Sequence, residues 1–399
     1  MADWQTDILI VGGGLTGATL IHALKTSGYR CLLLEANSFA DNLALDLNSR
    51  SIALAPASIN ILDQLGLWDS VKPLATPIWA IHVSQQKHFG RATIQGDEPL
   101  GYLVEMPHLS HLLQQWLPEK NVLTQTQFQS YDAEKQKVIC LHKGKQKIIE
   151  TKFIVAADGM QSAVRKAGQF QQTQRDYGQS AVITNIQLNR DHQCQAFERF
   201  TQEGPLAMLP LSAQRCAMVW AMAPLKAVKL AALNEKEFLS QLQQAFGYRL
   251  GRLQAAGKRV VIPLQQVITE NPVKWPIALV GNAAQTLHPV AGQGFNLALR
   301  DVATLAQLVC QQGLSIGMLD IYRQKRESDR TAIVRFTNGL IDLFRYSIPG
   351  VNLARGLGLL AFDNSQLLKQ QLSHYARGFA GFTPDLACGI PIKQGVSHV

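Results

Sequence analysis

The first 35 residues alternate between apolar runs and a glycine-rich turn in the order typical of a strand–helix–strand unit. Asp7 to Val11 is a short apolar run, and the helical pattern that follows the glycines continues to Ser27. A second apolar run, Tyr29 to Leu34, ends at the acid Glu35. This periodicity predicts a βαβ unit at the start of a parallel sheet.

Further apolar runs predict strands in the middle of the chain, and longer periodic segments predict helices towards its end. Phe153 to Ala157 has the continuous apolar character of a buried strand. Glu235 to Phe246 and the segment from Phe295 onward have helical periodicity. Most of the chain from Ile321 does too, with a break near Pro349-Gly350. A separate sheet is predicted from four more runs: Trp79–Ser84, Ala181–Asn189, Pro205–Leu211 and Arg215–Met222.

These elements divide the chain into three expected units. The βαβ unit and the buried strand belong to a discontinuous α/β domain, residues 1–72, 101–178 and 275–320. The alternating strands form a β-sheet domain from residues 73–100 and 179–274, and residues 321–399 form a helical C-terminal region. With 399 residues, of which 47% are hydrophobic, the chain is long enough to bury cores of this size.

Gly12, Gly14 and Gly17 form a G-x-G-x-x-G motif inside the predicted βαβ unit. Gly12 permits the tight turn, Gly14 lets a pyrophosphate approach the backbone, and Gly17 lets the helix pack closely on the strand. Glu35 ends the second strand at the distance from which an acid accepts hydrogen bonds from a ribose 2′-OH. The motif in this context predicts a dinucleotide site.

Two later motifs place polar groups and glycines directly after predicted strands. Asp158-Gly159 follows the buried strand, and Gly281-Asn282 ends another apolar run. Gly292 and Gly294 then lead into the helix that begins near Phe295. Each motif alone fits an ordinary turn. Free N–H groups at a helix start, however, attract negative charge, so this loop is a candidate anion contact.

The three motifs follow the order found in flavin-dependent aromatic hydroxylases, and the chain resembles that family over essentially its whole length. The resemblance implies an α/β fold, with a Rossmann-like FAD-binding domain of the aromatic hydroxylase type, a β-sheet substrate domain and a helical C-terminus. It is strongest for the ubiquinone-biosynthesis branch, whose signature resembles residues 288–301. Within that branch, Ala196–Pro210 and Gly281–Pro289 are similar to the hydroxylases of 2-octaprenyl-6-methoxyphenol.

The resemblance implies an FAD-dependent monooxygenase that hydroxylates 2-polyprenyl-6-methoxyphenol at ring carbon 4 through a flavin C4a-hydroperoxide. The implied partners are this polyprenylated phenol and O2. Because the chain has a single G-x-G-x-x-G motif, NADPH or NADH would visit transiently as the electron donor. Three alternatives stay open. One is a hydroxylase of another ubiquinone ring position or of a catabolic phenol, and a second is a different flavin enzyme, such as an epoxidase or prenyl reductase. The third is a non-enzymatic binder of prenylated proteins with a flavin-like fold.

The resemblance also implies the site residues. Pro289, Gly294 and Phe295 belong to the loop that positions the flavin, and no side chain is assigned as a catalytic base. FAD contacts are implied for Gly12, Gly14, Gly17, Glu35, Arg50, Asp158, Gly159, Gly281, Asn282, Gly292, Gln293 and Asn296.

At two of these positions, Arg50 and Asn282, the role implied by the resemblance has an alternative or the residue differs from the family's pattern. Arg50 resembles the family's mobile-flavin arginine, the alternative being a surface salt bridge. Most relatives have aspartate where this chain has Asn282, and an amide keeps one acceptor while adding donors. We therefore expect FAD binding to survive this departure.

The composition of the chain argues against metal ions, disulfide bonds and nucleic acid as parts of its function. Six cysteines without a C-x-x-C pair and ten histidines without a ligand pattern predict no metal site and no disulfide framework. The net charge of +9 comes without a dense basic run, so we expect no nucleic-acid partner.

No charged region leads into an apolar signal segment, because Asp3 and Asp7 flank the start and the first strand follows at once, so we expect a cytoplasmic protein. The basic and apolar residues after Ile321 fit either helices packed on the flavin domain or a segment lying on the inner face of the membrane. In the second case, other ubiquinone-biosynthesis proteins at that membrane are further candidate partners.

Overall fold

The computed structural model describes residues 2–39, 47, 49–88, 90–287, 292–345, 365, 377–379 and 381–393. These residues form two large β-sheets, a small third sheet and a set of helices. The α-helices are α1 (Leu15–Ala23), α2 (Pro56–Gln64), α3 (Trp68–Val71), α4 (Met106–Gln115), α5 (Ala163–Ala167), α6 (Pro224–Ala232), α7 (Glu235–Phe246), α8 (Gln293–Gln312) and α9 (Ile316–Arg345).

The first large sheet is built around parallel strands. Its strands are β1 (Trp4–Val11), β2 (Cys31–Leu34), β8 (Val122–Leu123), β9 (Thr126–Asp132), β10 (Lys137–His142), β11 (Lys145–Ala156), β18 (Val273–Lys274) and β19 (Ile277–Leu279). The order is β18-β19-β11-β1-β2-β8, with β9 and β10 attached to β11. The neighbours from β19 to β8 are all parallel. The apolar runs of the sequence are therefore buried on both faces, as parallel sheets require.

The register of these strands fixes where their following loops emerge. Val11 pairs with Leu34 on one side and with Ala156 on the other, and Ala156 pairs in turn with Leu279. These residues are the last of β1, β2, β11 and β19. The carboxyl ends of the four strands thus lie at one level, and the loops after them share one edge of the sheet.

Helix α1 connects β1 to β2, and its buried side chains join the apolar cluster of those strands. The helix ends at Ala23, four residues before the predicted end at Ser27. The Ser27 N–H bonds the carbonyl of Leu24 only three residues back, and Gly28, with φ of 79°, then turns the chain. A tightened last turn of this kind closes the helix.

The second large sheet is almost wholly antiparallel. Its strands are β5 (Ala80–Gln85), β6 (Arg91–Gln95), β12 (Gln172–Leu188), β13 (Gln195–Phe200), β14 (Pro205–Ser212), β15 (Arg215–Met222), β16 (Leu253–Ala256), β17 (Val260–Thr269) and β20 (Gln285–Thr286). The order is β20-β17-β12-β15-β14-β13-β5-β6, with β16 also pairing β12. Only β13 and β5 are parallel among these pairs.

The two faces of this sheet pack against different elements. One face lies under α6 and α7, where Phe197, Met208 and Met218 share a buried cluster with Phe238 and Leu242. The alternation of side chains along a strand sends the intervening residues to the other face.

That other face meets a three-stranded sheet of β3 (Ser51–Leu54), β4 (Ala75–Ile78) and β7 (Gly101–Glu105). Leu209, Leu211 and Ala217 from the large sheet pack there against Ala53 and Leu103. The antiparallel sheet therefore covers the three-stranded sheet, and we call it the roof.

Strand β12 is longer than predicted and crosses an expected boundary. It begins at Gln172 rather than at Ala181, because the polar stretch Gln172–Asp176 pairs with Gln265–Thr269 of β17. Residue 178 thus lies inside a strand of the second sheet. The domain boundaries remain a prediction, whereas β15 and α7 have the predicted bounds.

The C-terminal part is helical, and α9 begins at Ile316, before residue 321. Helix α9 packs against α8. The break predicted near Pro349-Gly350 lies outside the described residues. Among the described helices, none is both long and apolar enough to cross a membrane.

All six cysteines are free, and they differ in exposure: Cys388 is exposed, whereas Cys31, Cys140, Cys216 and Cys310 are buried. Burial raises the pKa of the Cys31 thiol to about 12 and that of Cys140 to about 11. These thiols behave as small apolar core residues.

Candidate functional site

The loops after four parallel strands meet at one edge of the first sheet. The glycine turn 12–14 follows β1, and Glu35 follows β2. Asp158-Gly159 comes after β11, and Gly281-Asn282 after β19. Ligands of open parallel sheets bind at the carboxyl ends of the strands. The structure thus brings together motifs that lie up to 270 residues apart in the sequence.

The three glycines of the first turn have different surroundings. A Cβ on Gly12, whose φ is +106°, would lie 2.5 Å from the carbonyl oxygen of Ala157, and one on Gly17 would overlap the carbonyl oxygen of Gly12. Both glycines are therefore needed for packing. At Gly14, no heavy atom in the described part of the chain lies within 4 Å of the Cβ position. Gly14 thus leaves an open cradle at the start of α1.

The Glu35 carboxylate is held at this edge by backbone groups. Its Oε2 accepts a hydrogen bond from the N–H of Gly13 at 2.8 Å, and its Oε1 accepts one from the N–H of Asn37 at 2.9 Å. The side chain is half-buried. These bonds fix an acceptor beside the glycine turn and leave lone pairs for a hydroxyl donor.

The two oxygens of Asp158 have different environments. Oδ2 accepts hydrogen bonds from the N–H groups of Ala163 and Val164, at 2.7 and 3.2 Å, and so caps the start of α5. Oδ1 is buried and has no hydrogen-bond partner among the described residues. A buried acceptor left unpaired costs about 1–3 kcal/mol, so a donor from a ligand would be stabilising here. Gly159, with φ of 80°, makes the turn that follows.

Arg165 of α5 joins two of the loops. Its Nη1 donates to the carbonyl of Ala283 at 2.9 Å, and its Nη2 donates to the carbonyl of Met160. Burial lowers the pKa of this guanidinium, and the nearby Asp158 carboxylate partly offsets the shift. The arginine therefore holds the turn after β11 against the turn after β19.

The turn Gly281–Ala283 presents its polar groups in two directions. The N–H of Gly281, with φ of 58°, donates inward to Oδ2 of Asp301 at 3.0 Å. The Asn282 side chain is exposed and makes no hydrogen bond with the described residues. The amide that replaces the family's aspartate is thus free to bind a ligand at this edge.

Asn296, in the first turn of α8, has its hydrogen bonds satisfied inside the protein. Its Oδ1 accepts from the N–H of Ala55 at 2.8 Å and from Oγ of Ser58 at 2.7 Å. Its Nδ2 donates to the carbonyls of Ala53 at 2.9 Å and of Gly292 at 2.8 Å. The side chain fastens the start of α8 to β3 and α2, so its role at the site is positioning.

The other loop positions flank the start of α8. Gly292 adopts the left-handed conformation, with φ of 60°, and no heavy atom of the described residues lies within 4 Å of a Cβ position on Gly294. The Gln293 side chain is buried, and Phe295 is half-buried against the main core. Pro289 lies outside the described residues. Helix α8 therefore begins with backbone open to a ligand at Gly294.

Arg50 precedes β3 and is exposed. Its carbonyl accepts from the N–H of Met106 at 2.7 Å, and its guanidinium forms no ion pair with the described residues. The surface salt bridge considered for it from sequence is therefore absent from the described part of the chain. Its part in flavin binding remains a prediction.

A buried ion-pair network that the sequence did not reveal lies behind the site. Asp301 pairs with Arg326 at 2.7 Å, and Arg300 pairs with Asp329 at 2.7 Å. Arg326 also contacts Asp329 and so closes the chain of charges. Burial opposes the charge on Arg326, but the two facing carboxylates outweigh it and raise the pKa of this guanidinium.

This network fixes the flavin-side turn, since Asp301 also accepts from Gly281. The sequence gives only a weak indication of this network. Arg326 and Asp329 are three residues apart on a predicted helix, which is a spacing typical of surface ion pairs. Nothing in that spacing shows that Arg300 and Asp301 are their partners.

The residues at this edge fit an FAD. Gly14 leaves room for a pyrophosphate beside the start of a helix, and Glu35 offers an acceptor to the ribose. Asp158 carries a buried oxygen without a partner in the described structure, and Gly294 leaves the start of α8 open. In the described parts of the chain, no three histidine, cysteine or acidic side chains group as a metal site.

Comparison with known proteins agrees with this site. Residues 5–337 match the family model described as FAD binding domain. Ubiquinone hydroxylase UbiL of Rhodospirillum rubrum is 33% identical over 98% of this chain and 94% of its own. The 3-demethoxyubiquinol 3-hydroxylase of Escherichia coli is 27% identical, over 95% of this chain and 100% of its own.

Solved structures give the same fold at lower identity. The p-nitrophenol 4-monooxygenase PnpA from Pseudomonas putida superposes with a TM-score of 0.77 at 17% identity, covering 95% of this chain and 99% of its own. The predicted α/β fold, the FAD cofactor and the monooxygenase activity are confirmed by the family match, which leaves no place for a non-enzymatic binder. The chain therefore belongs to the FAD-dependent monooxygenases that hydroxylate the aromatic ring in ubiquinone biosynthesis.

Proposed function

We propose that this enzyme hydroxylates ring carbon 4 of 2-polyprenyl-6-methoxyphenol. The observation that carries the proposal is the segment Ala196–Pro210, which is similar to the methoxyphenol hydroxylases and forms the β13–β14 hairpin of the roof. Hydroxylation at another ubiquinone ring position is the second candidate, because the relative from Escherichia coli is a 3-hydroxylase.

The chain's own residues supply binding, orientation and electrostatics. The backbone at Gly14 receives the pyrophosphate, Glu35 binds the ribose, and Asn282 meets the ribityl chain. The open N–H groups at the start of α8 stabilise negative charge at the flavin pyrimidine ring. When bound and reduced, FAD would activate O2. The protein would have to exclude water from the surroundings of the flavin ring. NADPH or NADH is the proposed electron donor.

The substrate class suits the covering sheet. Leu209, Leu211 and Ala217 make the face of the roof that packs on β3 and β7 apolar. A methoxyphenol ring is electron-rich, so it is a good acceptor of an oxygen atom from reduced flavin and O2. The apolar surface favours a lipid-tailed ring over a charged catabolic phenol.

A deletion strain tests the assignment. Cells without the protein should accumulate 2-polyprenyl-6-methoxyphenol during aerobic growth, and the oxygen added by the purified enzyme should carry label from ¹⁸O2 and not from labelled water. Accumulation of a precursor one hydroxylation earlier or later would move the enzyme to another ring position. Normal quinone content would remove it from the pathway.

We further propose that the enzyme works at an anionic membrane surface. A cleft at the β5–β6 edge of the roof is lined by Lys87, His88, Arg91, Arg199 and Arg249, with no acid among its lining residues. Such a cluster attracts lipid phosphates. The basic C-terminal segment considered for this role lies mostly outside the described residues.

Vesicle binding tests whether the basic cleft itself, or only the total charge of the protein, attracts the membrane. The enzyme should sediment with phosphatidylglycerol vesicles and not with phosphatidylcholine vesicles, and Arg91→Ala with Arg249→Ala should weaken that binding more than Lys120→Ala with Lys145→Ala. Equal loss in both double variants would mean that only total charge matters, which would refute a localised cleft.

A further inference from the structure

Glu198 occupies a position in the roof that the flavin motifs do not explain. It lies in β13, opposite Ala207 of β14 and Val83 of β5. Its neighbour Phe197 is buried on the face that packs against α7. Because side chains alternate along a strand, Glu198 belongs to the opposite face, the one turned towards the flavin domain.

That face is connected to the flavin loop by contacts in the structure. Leu209 and Ala217 pack against Ala53, and the Ala53 side chain is the nearest group, 3.1 Å away, to a Cβ position on Gly292. Ala207 lies two residues before Leu209 on the same face, about 7 Å along the strand, and Glu198 is one strand further, about 5 Å. The Cα atoms of Glu198 and Leu209 are thus roughly 9 Å apart on this face of the sheet.

The Glu198 side chain is half-buried in the roof. The side chain keeps part of its surface accessible, yet burial raises the pKa of its carboxyl group to about 7. The carboxyl group therefore lies in a poorly solvated part of the face turned towards the flavin domain. Within the described structure, its carboxylate has no hydrogen bond and no ion pair.

We propose that the Glu198 carboxylate accepts the hydroxyl proton of the phenol substrate. In this step the phenol O–H bond breaks, a carboxyl O–H bond forms, and the substrate becomes a phenolate while Glu198 becomes neutral. No electron leaves or enters the pair. The phenolate ring is more nucleophilic at its ortho and para carbons, which are the carbons that receive oxygen. This inference rests on a phenolic substrate, as in the proposed function.

The raised pKa makes Glu198 a better base than an ordinary glutamate. A phenol titrates near pH 10, so the proton transfer becomes less unfavourable when the acceptor titrates near 7 rather than near 4.5. The strand neighbours Val83 and Ala207 are uncharged, and desolvation is the cause of the shift, with no neighbouring ionisable group contributing to it. We therefore expect turnover to fall as the pH drops below about 7.

Three variants test the role of this side chain. With a short-chain 2-prenyl-6-methoxyphenol as the probe, Glu198→Gln should lower kcat at least about 100-fold and remove the acidic limb of the pH profile, with a smaller change in KM. Glu198→Asp should recover that limb at a reduced rate. Glu203→Gln, at a half-buried position in the neighbouring turn where the side chain pairs with Lys226, is the matched control and should match the wild type.

Infrared difference spectra give a readout independent of turnover. The holoenzyme should show a protonated carboxylic acid band that disappears through about pH 7 and is missing in Glu198→Gln. If the wild type converts the probe and Glu198→Gln keeps both rate and pH profile, the inference is wrong while the function stands. If the wild type forms no hydroxylated phenol, the proposed function itself fails.

Discussion

At the scale of single residues, Asn296 shows that a motif can locate a residue at the cofactor site without showing whether the residue contacts the cofactor. The signature marks it as a flavin residue, yet its oxygen and nitrogen are bonded to Ala53, Ala55, Ser58 and Gly292. A sequence motif does not separate a residue that touches a cofactor from one that holds the loop that does. Asn282 is the opposite case, since its exposed amide is free for a ligand.

We expect substitution by aspartate to have opposite effects at Asn296 and at Asn282. Asn296→Asp turns two donated hydrogen bonds into contacts between a carboxylate and two carbonyls, so we expect a loss of about 1–3 kcal/mol in unfolding free energy and weakened FAD retention. Part of that loss should return at low pH, where protonated aspartate regains a donor. Asn282→Asp should fold and retain FAD. Denaturant unfolding and flavin absorbance measure both, and equal behaviour of the two variants would contradict the assignment.

At the scale of elements, the first βαβ unit combines two kinds of glycine. Gly17 allows α1 to lie directly on the backbone of β1, whereas Gly14 has open space where a side chain would be. The same motif therefore serves the fold at one position and the ligand at the other.

Substitutions at these glycines should separate folding from flavin binding. Gly14→Val should fold with a near-normal melting temperature when both proteins are compared without flavin, yet purify colourless, because its side chain fills the pyrophosphate cradle. Gly17→Ala should lower the unfolding free energy by several kcal/mol, since its Cβ would overlap a carbonyl oxygen. A yellow Gly14→Val protein with full flavin content would refute the assignment.

Elements with strong local signals were predictable from the sequence. Helix α7 has its predicted bounds because Asn234 accepts from the Glu237 N–H at its start and Gly247, with φ of 89°, stops it. The first nine residues of β12 were not predictable, because they are largely polar and owe their extended form to pairing with β17, about 90 residues away. Local patterns carry no information about such a partner.

At the scale of the whole molecule, the buried network joins the flavin edge to the C-terminal helix. Arg326 and Asp329 of α9 reach Arg300 and Asp301 of α8, and Asp301 holds the N–H of Gly281. The sequence supplied each charged residue but not the pairing, because the partners are brought together only by the packing of α8 on α9.

Breaking this network should destabilise the protein far more than breaking a surface pair on the same helix. Asp329→Asn leaves two buried arginines with less compensating charge, and we expect a loss of about 3–5 kcal/mol in unfolding free energy. Asp320→Asn removes an exposed pair with Arg323 and should change it by less than about 1 kcal/mol. Chemical denaturation of both variants checks this, and similar losses would show that the buried charges contribute no more than exposed ones.

The placement of the cysteines bears on how long the enzyme survives its own chemistry. A site where reduced flavin meets O2 is a source of hydrogen peroxide, which oxidises thiolates much faster than thiols. Since burial raises the pKa of Cys31 to about 12, this side chain is almost entirely the unreactive thiol at pH 7. Oxidative damage should therefore begin at the exposed Cys388 and spare the four buried cysteines of the scaffold through many turnovers.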